Sequence, residues 1–343
     1  MGKDPQKPVI IISRTDKLGD LLLSFPAFYR AREIFPAARI IVLIRKYTAD
    51  LMVGQSHIDR IICFDDYPFP QLVQELKQEH PDYFIALYTD PRVGKLARKC
   101  GAKHRIGPLS KLHSWLTYNA GIRQKRSQSR MHESAYNLEL VNRLNRQKPS
   151  TTPYTRLFYG EENKGFIDEY LKQENIPFNA KLVLINPFTA GSAKNLEIAK
   201  YLEIGNQLLE SSPEVWIIYC AIPANPIELL QQNPHPRQEV FVNTGSIMNF
   251  AALADKASLY IGPPTGTTHI ASILSTPVVA IYPRIQNQAP KRWAPIGTGK
   301  LKIILPAVPC PQKYGCRRTC THYDCYSTIT AAEVVAAARE LLQ

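Results

Sequence analysis

Residues 9–35 read VIIISRTDKLGDLLLSFPAFYRAREIF, and this stretch decides the fold. The β-branched run from Val9 to Ile12 has the length and composition of a strand buried on both faces. A turn bearing Gly19 follows, then apolar residues at helical spacing as far as Phe35. Strand, glycine-bearing turn and helix in that order predict the opening unit of a parallel α/β sheet.

The same alternation continues outward. RIIVLI (39–44), RIICF (60–64) and YFIALY (83–88) are further strand candidates, with the amphipathic segment FPQLVQELKQEH (69–80) between the last two. Residues 145–155, NRQKPSTTPYT, lose apolar periodicity and gain proline, serine and threonine, as a linker does. Beyond them the pattern restarts with KLVLINP (181–187), VWIIYC (215–220), VFVNTG (240–245), LYIGP (259–263) and VVAIY (278–282). Thr330 with Glu333 three residues on opens a final helix through a capping box. The expected fold class is therefore α/β, with two Rossmann-like domains, 1–155 and 156–343, facing across a cleft. The last helix is free in this scheme to pack back on the first domain.

Composition narrows the function. The 343 residues are 45% hydrophobic and 21% charged, enough to bury a core and far from a disordered chain. No apolar run reaches the ~18 residues that span a bilayer, and the start MGKDPQKP lacks a signal-peptide pattern, so a cytoplasmic protein is expected. The net charge is +13, from 42 Lys and Arg against 29 Asp and Glu, which favours an anionic partner. Between Arg92 and His132 stand eleven Lys and Arg and no Asp or Glu, including Arg92, Lys95, Arg98, Arg123 and Arg126. Such a window either faces an anionic ligand or surface or is a solvated basic face. Trp115 and Tyr118 within it permit nucleic-acid binding, but no DNA or RNA module is recognisable, so no nucleic-acid partner is assigned.

Three loops carry chemistry. Asp20, near the start of the first helix, is placed either to accept a proton from a substrate hydroxyl or to cap that helix. Residues 186–195, NPFTAGSAKN, follow a strand and offer Thr189, small residues and Lys194 to a phosphate, or form a plain βα turn. Residues 262–269, GPPTGTTH, place Thr265, Gly266, Thr267, Thr268 and His269 where a helix begins, a ready anion site. Cys310, Cys316, Cys320 and Cys325 miss the CxxC spacing of common zinc sites, and structural thiols are the favoured alternative to metal or disulfide. No DxD carboxylate pair or histidine-rich set calls for a catalytic metal, and no cofactor is assigned.

Read together, ISRTDKLGDLLLSFPAFYRAREIFP, LINPFTAGSAKNL, GPPTGTTHIASILSTPVVAIY and the tail PCPQKYGCRRTC resemble glycosyltransferase family 9, the lipopolysaccharide heptosyltransferases, over nearly the whole chain. The resemblance implies the GT-B fold, an amino-terminal acceptor domain and a carboxyl-terminal domain for a nucleotide sugar, usually ADP-heptose. It places the catalytic base on Asp20, and donor contacts on Thr189, Lys194, Gly266, Thr267, Thr268 and His269 beside Thr265. Pro264 stands where the family pattern has aspartate, which keeps transfer of another nucleotide-activated sugar, or mere sugar-nucleotide binding, as alternatives. The implied partners are a nucleotide sugar and an anionic lipid-linked oligosaccharide, met by the basic window, with peripheral contact at the cytoplasmic face of the inner membrane.

Overall fold

A computed structural model describes residues 7–88, 90–145, 156–189, 191, 193–232, 234–311, 316 and 319–343. The chain divides into two compact units, Met1–Phe158 and Tyr159–Gln343. Residues 146–155 of the expected linker lie outside the described residues. The first unit extends past position 155 because Gln55 Nε2 donates to the Arg156 carbonyl at 2.7 Å and the Phe158 side chain packs over Gly54.

The first unit contains β1 (Val9–Arg14), α1 (Leu18–Leu22), α2 (Phe25–Ile34), β2 (Arg39–Ile44), β3 (Arg60–Cys63) and α3 (Phe69–Gln78). It continues with β4 (Tyr83–Ala86), α4 (Pro91–Lys99), β5 (His104–Ile106), α5 (Leu112–Thr117) and α6 (Glu133–Val141). Its sheet has the order β3-β2-β1-β4-β5, every pair parallel. Ile10, Ile11 and Ile12 of the central strand are fully buried, as a parallel strand covered on both faces requires. The single helical stretch read after Gly19 is two helices. Pro26, at the start of α2, cannot donate the backbone bond that would continue α1, and Ser24 Oγ donates instead to the Asp20 carbonyl at 2.8 Å.

The second unit contains α7 (Glu161–Gln173), β6 (Lys181–Ile185), α8 (Ile198–Ser211), β7 (Val215–Ala221), β8 (Gln238–Val242) and α9 (Ile247–Asp255). After these come β9 (Leu259–Gly262), α10 (Gly266–Ile273), β10 (Val278–Ile281), α11 (Pro290–Trp293), β11 (Leu301–Ile304) and α12 (Ala331–Leu342). The order is β11-β10-β9-β6-β7-β8, again all parallel. The final helix starts where Thr330 accepts from the Glu333 amide at 3.2 Å. Its apolar side turns to the core of the second unit. Val334, Ala338 and Leu341 are buried in the second unit's own core with α8 and the sheet, which uses up the helix's apolar stripe.

Each sheet has one point where strand order reverses, between β1 and β4 and between β6 and β9. Crevices beyond the carboxyl ends of such strand pairs are where open α/β sheets bind ligands. All three loops singled out for chemistry in the sequence begin at these ends.

Close packing of α8 on the sheet gives a direct test. A Cβ at Gly205 would stand 2.1 Å from the Tyr219 hydroxyl, whose side chain is fully buried. Alanine is the better helix former by about 1 kcal/mol, yet Gly205→Ala is expected to lower stability in urea melts. Adding Tyr219→Phe, which removes the clashing oxygen, should restore part of the loss.

Candidate active site

At the end of β1 three carboxylates, from the following loop, α1 and α6, surround one guanidinium. Arg14, the last residue of β1, is 2% exposed. Its Nε donates to Asp16 at 2.7 Å, Nη2 to Asp20 at 2.6 Å, and Nη1 to Glu133 at 3.0 Å and to the Asn137 amide oxygen at 3.1 Å. Glu133 and Asn137 lie on the first turns of α6 and are fully buried. Asn137 in turn donates to the Leu23 carbonyl and Ser24 Oγ at the α1–α2 break, which ties α6 to the loop bearing Asp20. Arg126 reaches the same cluster, donating to Glu133 at 2.7 Å and to the Leu87 carbonyl at 2.9 Å, just beyond β4. The cluster thus occupies the switch point between β1 and β4.

Asp20 is the third residue of α1, and the position before that helix is Lys17, which makes no side-chain cap. The Asp20 carboxylate is therefore oriented by Arg14 rather than by the helix amides, and 15% of its side-chain surface is exposed. Asp16 behaves differently. Burial raises its pKa to about 7, opposed by Arg14 and reinforced by Asp20 and Glu133.

The other basic residues expected to meet an acceptor are dispersed. Arg92 and Lys95 lie exposed on α4 over the rings of Phe64 and Phe69. Arg98 is exposed near the end of α4, and Arg123 lines an open groove with Glu139, Asn142 and Arg143. Only Arg126 of the five shares the Asp20 cluster. Tyr118 is a packing residue, 4% exposed against Gly107.

In the second unit the loop after β9 forms a hydroxyl network at the start of α10. Thr265 is its N-cap and pairs with Thr268 in a capping box, while the Thr268 hydroxyl donates to the Pro263 carbonyl. Thr267 Oγ1 meets Thr265 Oγ1, Tyr260 OH and Asn186 Nδ2, each at 2.8 Å. Asn186 is the first residue after β6, so this network spans the second switch point. Gly266 and Thr267 open α10, where amides lack intrahelical acceptors and the helix dipole favours negative charge. His269 is only 4% exposed.

Thr189 is half-buried in the loop after β6. Lys194 does not join the threonines. Its Nζ donates to the Tyr323 carbonyl, lies 4.9 Å and 5.5 Å from the ring centres of Tyr323 and Tyr326, and approaches Cys316 Sγ at 3.7 Å. Cys310, Cys316, Cys320 and Cys325 line one small cavity with His322 and Lys194, and all seven cysteines are free thiols. Among the described residues, no group of three His, Cys, Asp or Glu stands close enough to hold a metal ion.

The sequence reading missed Arg14, Asp16, Glu133 and Asn137, as well as Asn186 and Tyr260. One signal was present: Glu133 is the first carboxylate after the acid-free window. The cluster predicts a pH dependence. Folded Asp16 holds its proton to about pH 7, whereas an unfolded aspartate releases it near pH ~4. The folded state therefore binds the extra proton in that window, and stability falls as pH rises through it. Denaturant melts at about pH 5 and about pH 8 should show this fall in the parent chain and a flatter dependence in Asp16→Asn.

Comparison with known proteins identifies the family. The family model for glycosyltransferase family 9 (heptosyltransferase) matches residues 70–323. A Haemophilus influenzae protein provisionally named a glycosyltransferase is 30% identical over 300 residues, covering 84% of this chain and 86% of that protein. A lipopolysaccharide core heptosyltransferase of the same organism is 23% identical over 284 residues, with 80% and 78% covered. The solved ADP-heptose lipopolysaccharide heptosyltransferase II of E. coli superposes with a TM-score of 0.77 at 16% identity, over 98% of each chain, and shares the GT-B fold. The chain is a glycosyltransferase belonging to family 9, related to the heptosyltransferases of lipopolysaccharide synthesis.

Proposed function

We propose that this enzyme transfers a heptose from ADP-heptose to the lipopolysaccharide inner core by an inverting displacement that needs no metal ion. The observation that carries the proposal is the Asp20 carboxylate, held by Arg14 at 2.6 Å at the carboxyl end of β1. Asp20 takes the proton of the acceptor hydroxyl as that oxygen attacks the anomeric carbon. The bond to the diphosphate breaks on the opposite face, and one displacement inverts the anomer.

The leaving diphosphate gains charge in the transition state and needs fixed donors. The amides of Gly266 and Thr267 and the hydroxyls of Thr265 and Thr267 supply them, with Thr268 bracing the loop through the Pro263 carbonyl and Thr189, Lys194 and His269 completing the donor set. For Lys194 this means exchanging the Tyr323 carbonyl for a phosphate oxygen. Arg92, Lys95, Arg98, Arg123 and Arg126 form the acceptor set for the phosphate and acid groups of a lipid-linked oligosaccharide. Arg126 is the member nearest the chemistry, since it shares Glu133 with Arg14. The enzyme works on this proposal as a peripheral protein at the cytoplasmic face of the inner membrane; no described helix is long and apolar enough to cross it.

Pro264 favours a second substrate class. It places no carboxylate before Thr265, so a hexose or N-acetylhexosamine donor fits the same chemistry. A panel of nucleotide sugars assayed with EDTA separates the donors and tests metal independence together. Asp20→Asn should lower transfer by about 100-fold or more while ADP still binds. Unchanged turnover removes Asp20 from the mechanism.

A further inference from the structure

Helix α5 is built inside out. In a soluble protein the apolar stripe of a surface helix faces the core. Here Ser114 is fully buried and Thr117 packs against Gly94 of α4, so the hydroxyl-bearing side of α5 faces inward. Thr117 Oγ1 donates to the His113 carbonyl at 2.9 Å and the Arg105 guanidinium caps the Thr117 carbonyl at 2.8 Å, which satisfies that inner side. The outer side carries Leu112, Trp115 and Leu116, at i, i+3 and i+4, with exposures of 82%, 57% and 72%. Three large apolar side chains on one exposed face are not scattered surface hydrophobes; they are a patch that wants a partner.

Charge identifies the partner. The residue before α5 is Lys111, and α4, on which α5 packs, ends in Arg98 and Lys99. Arg98, Lys99 and Lys111 are exposed and form no ion pair among the described residues. Leucine and tryptophan on one side, flanked by unneutralised lysine and arginine, are what a helix lying in the headgroup region of an anionic bilayer presents. We propose that α5 is a membrane-docking wedge: Leu112, Trp115 and Leu116 enter the acyl boundary of an anionic bilayer while the surrounding cations meet its phosphates. This deepens the proposed function and rests on its lipid-linked acceptor. It assigns surface attachment to Leu112, Trp115, Leu116 and the cations beside them, distinct from the donor and proton-transfer groups.

The test uses the full chain and sonicated vesicles of phosphatidylcholine alone or mixed with phosphatidylglycerol. The parent chain should co-sediment with the anionic vesicles. Brominated acyl chains should quench its emission, and Trp115→Phe should lose that quenching. A Leu112→Ser, Leu116→Ser double variant should bind anionic vesicles at least about tenfold more weakly, with an unchanged melting temperature because both side chains are exposed. Unchanged vesicle binding by this variant overturns the wedge. So does quenching that survives in Trp115→Phe, or a preference for RNA or for self-association that the double variant abolishes in place of vesicle binding. Transfer to a delipidated, water-soluble acceptor should persist in the double variant. If the parent chain binds vesicles through α5 but transfers no sugar, the proposed function fails and the wedge stands.

Discussion

The first unit is organised around a buried positive charge. A guanidinium withdrawn from water is costly unless its donors are met by acceptors and its charge by carboxylates. Arg14 satisfies both conditions only because β1 delivers it to the point where the strand order reverses, where α1 and α6 each contribute a carboxylate. Asp16, Asp20 and Glu133 would repel one another without it. The arrangement fixes the direction of the Asp20 carboxylate, which loop geometry alone would leave to rotate. It also separates the roles of two neighbouring aspartates, since Asp16 keeps its proton far above the usual aspartate range. Removing one partner of so buried a set typically costs about 3–5 kcal/mol.

The second unit solves a related problem with neutral groups. Its switch point is spanned by hydroxyls and amides instead of charges: Asn186 from one side, Tyr260 from within, and the threonines at the start of α10. Neutral donors fixed by one another suit a ligand that brings its own negative charge, because no protein countercharge has to be displaced first. The two units use one topology to opposite electrostatic ends.

Much of this was legible in residue order. Val9–Ile12 and the runs that resemble it announced parallel strands, because a strand covered on both faces needs uninterrupted apolar residues. Two strands escaped, β5 (HRI) and β11 (LKII), both at sheet edges, where one flank is open and the apolar run shortens. Asp20 and the threonines of α10 were legible because loop and helix start are adjacent in sequence. Arg14 was not. Its partners on α6 are 119 and 123 residues away, and no local pattern records a contact across that span. Lys194 was read as a phosphate ligand from its loop and from the family resemblance; the π faces and carbonyl that hold its ammonium belong to Tyr323 and Tyr326, too far along the chain for the loop to record.

The distance between Arg14 and its partners bears on how the chain is made. β1 is made before its neighbour β4, which begins at Tyr83, and before the acid that α6 brings to Arg14, Glu133. Until then only Asp16 and Asp20 meet the guanidinium, and the Nη1 side that Glu133 and Asn137 occupy in the folded chain is left to water. Arrival of α6 lets the charge be dehydrated and the last packing step close, a late, long-range event of the kind that slows parallel α/β topologies. The same residue that aims the carboxylate thus also acts as a checkpoint on completion of its own half of the molecule.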